Sequence, residues 1–114
     1  MATAAQFRKF ALALEGTTSA PHFDRTAFKV DRIYATLAPD KKTANFKFTP
    51  DEQALKCTVA PDAFVAIPNA WGRQGWTTGT LKALSGAELK AALAMAWRHA
   101  VKKPKAKRPK AKRR

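Results

Sequence analysis

Apolar residues near the start of the chain recur at the spacing of one helical face: Phe7, Phe10, Ala11 and Leu14. Thr3 and Gln6 before them have the spacing of a capping box, in which each side chain satisfies a backbone N–H at the helix start. Gly16 follows, and glycine commonly ends a helix. The pattern predicts a first amphipathic helix.

Between residues 21 and 48 the apolar spacing changes to period two, which is typical of β-strands. The segments "AFKV", "IYATL" and "ANFKF" each alternate in this way. In the second segment, one predicted face carries Ile33, Ala35 and Leu37. Polar turns separate the segments at Asp31-Arg32 and at residues 39–42. The pattern predicts an antiparallel meander.

A short helix and two more strands follow. Thr49 suits the N-cap of the helix, and Asp51 and Glu52 favour the positive end of its dipole, so these adjacent carboxylates need no catalytic role. The apolar run "AFVAI", closed by Pro68, predicts a buried strand, and "WTTGTL" predicts a last one.

The final third predicts a long helix. Ser85 and Glu88 form another capping box, and an apolar face follows: Leu89, Leu93, Ala96, Trp97 and Ala100. The chain thus reads as helix, about four to six strands with a short inserted helix, and helix. This order is typical of a two-layer α+β fold whose N- and C-terminal helices pack on one face of an antiparallel sheet.

Charge divides the chain into two parts. The formal net charge is +14, and residues 102–114 hold nine of the 22 Lys/Arg and no acidic residue. The other 101 residues hold 13 basic and eight acidic side chains, a net charge of +5. We therefore predict one domain over residues 1–101 and a disordered basic tail over residues 102–114, rich in Lys, Arg, Pro and Ala.

The tail indicates a polyanionic partner, because clustered cations neutralise phosphates and release counterions without reading sequence. Its cations are Lys102, Lys103, Lys105, Lys107, Arg108, Lys110, Lys112, Arg113 and Arg114. DNA is the predicted partner, with RNA as an alternative, since a phosphate-directed tail meets both. Two other interpretations stand beside it: an end that only adds charge and solubility, and a contact with anionic lipid.

Two basic loops predict a second phosphate contact in the domain. Arg25, Lys29 and Arg32 fall in a predicted hairpin between His22 and Ile33, and Arg73 falls at the tip of a second turn. That turn, "WGRQGW" at residues 71–76, contains two of the three tryptophans. We expect both to anchor a hairpin on the core, because burial of large aromatic side chains is favourable. The alternative is that they are exposed and stack on unpaired bases.

Residues suited to enzymatic chemistry are sparse. His22, His99 and the single Cys57 are too few for a closed zinc site, and no glycine loop for phosphate or dinucleotide is present. Cys57 is expected to be an inert core residue, although a Cys57–His22 pair stays open from sequence alone. We predict no enzymatic activity, metal or cofactor.

The sequence also bears on location. Its start lacks the pattern of a secretory signal, and no stretch approaches the length of a membrane span. A lone cysteine suits a reducing compartment. We predict a cytoplasmic protein, with the nucleoid as the place that DNA binding would imply.

Three segments resemble the MmcQ/YjbR family: "PHFDRTAFKVDRIYATLAPD" at residues 21–40, "FTPDEQALK" at 48–56, and "NAWGRQGWTTGTL" at 69–81 before a long helix. The resemblance covers residues 5–101, and the basic tail is an addition outside it. It implies a CyaY-like α+β fold and a DNA-binding protein. The residues that carry it are His22, Phe23, Phe28, Trp71, Gly72, Gly75 and Trp76.

Two functional hypotheses follow from the sequence. In the first, the protein binds DNA largely independently of sequence, through the tail with help from the basic loops. In the second, a small-ligand- or protein-binding domain uses the sheet or the region of His22 and Trp71 as a pocket, and the tail is incidental.

Overall fold

The computed structural model describes residues 1–101, and the predicted tail lies outside them. Within this range the helices are α1 (Ala4–Ala13), α2 (Pro50–Val59), α3 (Ala70–Arg73) and α4 (Gly86–Ala100). The strands are β1 (Thr18–His22), β2 (Arg25–Lys29), β3 (Ile33–Leu37), β4 (Thr43–Lys47), β5 (Phe64–Ala66) and β6 (Trp76–Thr80). A single 3-10 turn, Leu81–Ala83, joins β6 to α4.

The six strands form one antiparallel sheet in the order β1-β2-β3-β4-β6-β5. Helices α1 and α4 pack on each other, and α4 also packs on β3 and β4. Burial alternates along β4 and β6, so that one side of each strand is buried and the other is half-buried. The predicted two-layer α+β class is confirmed, with α1 and α4 on one face of the sheet.

Aromatic side chains fill the space between the two layers. Phe7 of α1 lies edge-on to Phe28 and Phe46, with ring centroids 5.2 and 5.9 Å apart. Phe46 also contacts Phe48, two residues along the chain, and Phe64 of β5. Each fully buried side chain of this kind contributes about 1.5–3 kcal/mol by leaving water. These aromatic side chains of the core therefore lie on the helical face.

Three helices begin at capping boxes; two of these were predicted, and at the third only the N-cap residue Thr49 was predicted. The pairs are Thr3 with Gln6, Thr49 with Glu52, and Ser85 with Glu88, and in each both reciprocal hydrogen bonds are formed. Because these pairs satisfy N–H groups that a helix leaves unpaired, local sequence was sufficient to predict where the helices start.

The face assignment of Ile33 was wrong. Ala35 pairs with Phe28 and Ile33 pairs with Lys29, so the register skips Tyr34 and forms a β-bulge. Tyr34 is fully buried, and its hydroxyl lies 2.9 Å from the Thr17 hydroxyl. An extra residue in a strand reverses the alternation beyond it. Ile33 consequently faces away from the core.

Two further expectations need correction. The run "AFVAI" is not a buried strand, because β5 is a short edge strand in which Val65 is 60% exposed. The segment from Trp71 to Trp76 is not a hairpin either: α3 ends at Arg73, and β6 begins at Trp76. Asn69 accepts hydrogen bonds from the backbone N–H groups of Trp71 and Gly72, which favours a helical turn here.

A candidate nucleic-acid interface on the open face of the sheet

The sheet face opposite the core contains a cleft of about 530 Å³. Its walls come from five of the six strands, from Ile67 just after the remaining strand β5, and from the start of α3. The lining residues are His22, Arg25, Ile33, Thr36, Asn45, Ile67, Asn69, Trp71 and Trp76. Sites for small molecules typically have volumes of about 300–1,000 Å³, so the cleft is large enough to hold a ligand.

Neither tryptophan of the cleft is in the core, contrary to the sequence-based expectation. Trp71 is 60% exposed, and Trp76 is half-buried at the start of β6. The third tryptophan, Trp97, is different, because its indole N–H donates to the backbone oxygen of Glu15 at 2.9 Å. The two cleft tryptophans therefore present aromatic surface that a ligand can contact.

Trp71 and Trp76 form the aromatic wall of the cleft, and close packing fixes the backbone that carries them. A Cβ atom at Gly72 would lie 1.6 Å from the Ile67 carbonyl oxygen, so only glycine allows α3 to approach the segment after β5. On the other side, the Gln53 amide of α2 donates to the backbone oxygens of Gly72 and Trp76, at 2.8 and 2.9 Å. Helix α2 thus fixes the segment that carries both tryptophans.

Arg25 provides the positive charge in the cleft. It lies in β2 and not in a projecting loop, and its Nε donates to the Thr36 hydroxyl oxygen at 2.8 Å. Burial lowers the pKa of Arg25, while the nearby Asp24 and Asp40 act in the opposite direction. A guanidinium remains protonated in proteins, so Arg25 is a fixed cation on the open face.

The other predicted body cations lie together at one end of the sheet. Lys29 ends β2 opposite Ile33, and Arg73 ends α3 just before β6. Arg32 shares a cavity of about 200 Å³ with Lys47 and with the end of α4. We call Lys29, Arg32, Lys47 and Arg73 the basic end of the domain. Lys47 was not singled out in the sequence, because only the pairing of β4 with β6 places it there.

The residues that carry the family resemblance lie in different parts of the fold. His22 and Phe23 are exposed at the β1–β2 turn, where Phe23 is 93% exposed with φ of 59°. Phe28 is buried in the core. Gly75 has φ of 109° and, like Gly72, has a structural role. Sequence reasoning missed the polar lining of the cleft, Thr36, Asn45 and Asn69, because no spacing rule links residues on separate strands.

No Cys57–His22 pair forms. Cys57 is half-buried on α2 and packs against the core, whereas His22 lines the cleft on the opposite face of the sheet. Within residues 1–101 there is no group of three His, Cys, Asp or Glu side chains placed to hold a metal ion.

One polar contact ties α2 to the end of α4 beside the basic end. The His99 Nε2 lies 2.8 Å from Glu52 Oε1. Burial opposes ionisation of Glu52, but hydrogen bonds from Thr49 and His99 outweigh it, and the pKa of Glu52 is lowered from its ordinary value. Ionised Glu52 therefore stabilises the folded protein.

This contact predicts a pH effect on stability. Because the pKa of Glu52 is lower in the folded than in the unfolded chain, its contribution is present above the unfolded-state value of about 4.3 and is lost as the pH falls through the folded-state pKa. Glu52→Gln should lower the free energy of unfolding at pH 7 by up to about 1 kcal/mol, and by less at pH 3. Urea unfolding at both pH values measures this difference.

Glu15→Gln is the matched control, since the Glu15 side chain contacts no other described residue through a hydrogen bond or ion pair. An equal loss at pH 7 and pH 3 for Glu52→Gln would show that its charge is not involved.

The described residues contain no helix long and apolar enough to cross a membrane. The fold and the cleft define a class of protein: a small α+β domain with its N- and C-terminal helices on one side of an antiparallel sheet and a ligand-sized cleft on the other. The YjbR family model matches residues 12–99, which is most of the chain. The protein therefore belongs to the YjbR family, as the sequence resemblance indicated.

Solved structures support the fold. A crystal structure of the Deinococcus radiodurans protein DR2400, with a DUF419 domain, superposes with a TM-score of 0.72 at 20% identity, covering 84% of this chain and 76% of that one. A Pseudomonas syringae protein superposes with a TM-score of 0.64 at 17% identity, covering 85% and 97%. At identities this low, the superpositions are evidence of a shared fold alone. No curated protein matches the chain.

Proposed function

We propose that this protein is a non-enzymatic nucleic-acid-binding protein that contacts the phosphate backbone of DNA largely independently of sequence. The observation that carries the proposal is where the described chain ends. Val101 follows α4, whose last residues, His99 and Ala100, line the same cavity as Arg32 and Lys47. The nine Lys/Arg of residues 102–114 follow Val101 directly in the sequence.

Electrostatics explains why this arrangement suits a polyanion. Each phosphate that a Lys or Arg neutralises releases condensed counterions, so affinity depends on salt with a log–log slope of about −0.9 per contact. The basic end adds four cations to the nine of residues 102–114, and clustered cations attract a polyanion more strongly than scattered ones do. Contacts of this kind do not distinguish DNA from RNA.

The test compares two triple variants with equal net charge. Lys29→Ala, Arg32→Ala and Arg73→Ala remove charge at the basic end; Lys41→Ala, Lys42→Ala and Lys82→Ala remove it at the opposite end, where these lysines line another cavity. We expect the first variant to reduce the magnitude of the salt slope for duplex DNA by up to about 3, and the second to change it little. Fluorescence anisotropy at several salt concentrations gives both slopes.

Equal losses in the two variants would show that net charge alone matters and that the basic end makes no local contact. Failure of the wild-type protein to bind DNA at low salt would refute the proposed function as a whole.

The cleft supports a second candidate, a small-ligand-binding domain with an incidental tail. Its size and its mixture of aromatic and polar lining are typical of ligand sites. In that case, a compound that fills the cleft raises the melting temperature equally with and without residues 102–114. If the protein binds nucleic acid instead, removal of residues 102–114 lowers its affinity for nucleic acid by most of its value.

A further inference from the structure

The aromatic wall of the cleft lacks partners within the described chain. Neither Trp71 nor Trp76 stacks on another ring in residues 1–101, and neither indole N–H donates to a described residue. Trp71 lies on a segment fixed by Gly72 and Gln53, so its position is set by the fold. An exposed indole on a fixed backbone segment offers a face on which a flat aromatic ligand stacks.

The polar groups of the cleft favour a ligand rich in hydrogen-bond acceptors. Asn45 Oδ1 already accepts from the Thr78 hydroxyl at 2.9 Å, and Asn69 Oδ1 accepts from the backbone N–H of Trp71. The Thr36 hydroxyl oxygen is likewise engaged by Arg25. The carbonyl oxygens of these amides are thus occupied within the protein.

Donors remain on the same side chains. The NH2 groups of Asn45 and Asn69 donate to no other described residue, and Arg25 uses two of its five N–H groups, both toward Thr36. No Asp or Glu lines the cleft. Donors, a cation and flat aromatic surface together match a nucleobase, which presents carbonyl and ring-nitrogen acceptors at its edge and carries a phosphate nearby.

Within the nucleic-acid-binding function proposed above, we propose that the cleft holds an unpaired nucleobase stacked on Trp71, so that the protein binds single strands more tightly than duplex of equal length. A paired base cannot offer its face, because neighbouring base pairs cover it, and its Watson–Crick edge is already engaged. The basic end and the tail then hold the phosphates on either side of the base.

Preference for single strands distinguishes this proposal from attraction to phosphate alone. Duplex DNA has the higher charge density, and its salt slope per contact, about −0.9, exceeds the −0.7 of single strands. A protein that contacts only phosphates therefore prefers duplex. Tighter binding of single strands requires an interaction with the bases themselves.

The experiment uses the full chain and labelled oligonucleotides of one length, as poly-thymidine single strand and as mixed-sequence duplex, at fixed salt. We expect single strand to bind about tenfold more tightly than duplex, and Trp71→Ala to weaken single-strand binding about tenfold while leaving duplex binding unchanged. Trp71→Phe should retain most of the affinity, because phenylalanine keeps a stacking face. Leu55→Ala, at a 64% exposed apolar residue of α2, is the control and should change neither.

The outcomes separate the two proposals. If single strand and duplex bind with equal affinity and Trp71→Ala has no effect, the base-binding cleft is refuted while phosphate binding stands. If neither binds, the underlying function fails. If free thymidine monophosphate competes as effectively as the strand does, the ligand of the cleft is a free nucleotide and the proposed strand binding is refuted. A melting curve for Trp71→Ala confirms that loss of binding is not loss of fold.

Discussion

Ending the chain at Val101 will remove most of the salt dependence of DNA binding. If all nine tail cations engage phosphates, they account for about −8 of the log–log slope at −0.9 each. Between 50 and 200 mM salt, we expect the full chain to lose affinity by about 10³- to 10⁵-fold or more, and the shortened chain by about 10²-fold or less. Titrations of both proteins with duplex DNA across this range measure the difference.

Two controls make the result interpretable. The shortened chain should melt at the same temperature as the full chain, because every residue of the core cluster lies between Ala2 and Ala100. A chain with residues 102–114 in shuffled order should bind like the wild type, since contacts with phosphate depend on charge and not on sequence. An unchanged slope after truncation would mean that the tail makes no contact and that the domain alone binds DNA.

Gly75→Ala will destabilise the folded protein by about 2–5 kcal/mol, a large part of the 5–15 kcal/mol typical of a domain. Two effects combine. The φ of 109° at Gly75 is strained for any residue with a Cβ atom, and that atom would lie 1.9 Å from the Phe48 carbonyl oxygen. Relief of the clash would separate β4 from the segment before β6, where Phe48 N donates to Gly75 O at 3.2 Å.

Gly86→Ala is the matched control. A Cβ atom at Gly86 would meet Gln6 Nε2 at 3.6 Å, an ordinary contact, so this variant should have wild-type stability or gain a few tenths of a kcal/mol from lower unfolded-state entropy. Urea midpoints of the two variants give the comparison. A change below about 0.5 kcal/mol for Gly75→Ala would show that the loop adapts and that glycine is not required there.

The two predictions test different parts of the molecule. Truncation changes binding while the fold stays intact, whereas Gly75→Ala acts on the junction that positions Trp76 and the cleft. A Gly75→Ala protein that still folds should therefore show a larger loss of single-strand binding than of the contacts made by the tail.

Much of the fold was predictable because the relevant interactions are local. N-caps and capping boxes need only residues within three positions, so Thr3, Thr49 and Ser85 marked the helix starts correctly. The alternation in "ANFKF" placed Phe46 on the core side because β4 has no bulge in its pairing. The resemblance to the MmcQ/YjbR family rested on short segments of this kind, and the family assignment is confirmed.

The expectations that failed involve contacts between distant segments. The reversal of Ile33 and Tyr34 depends on how β3 pairs with β2, which the residues of β3 do not specify. Trp71 and Trp76 were expected in the core because they are large and apolar. Both instead line the cleft on the face of the sheet away from α1 and α4, which pack on the other face.

Local sequence was thus sufficient for the helix starts and the α+β order, because each depends on neighbouring residues alone. The cleft depends on the tertiary structure. It arises where five strands bring His22, Arg25 and Asn45 beside the α3 segment, and these residues are far apart in the chain. Strand order and register bring them together, and both are determined by packing of the whole sheet against α1 and α4.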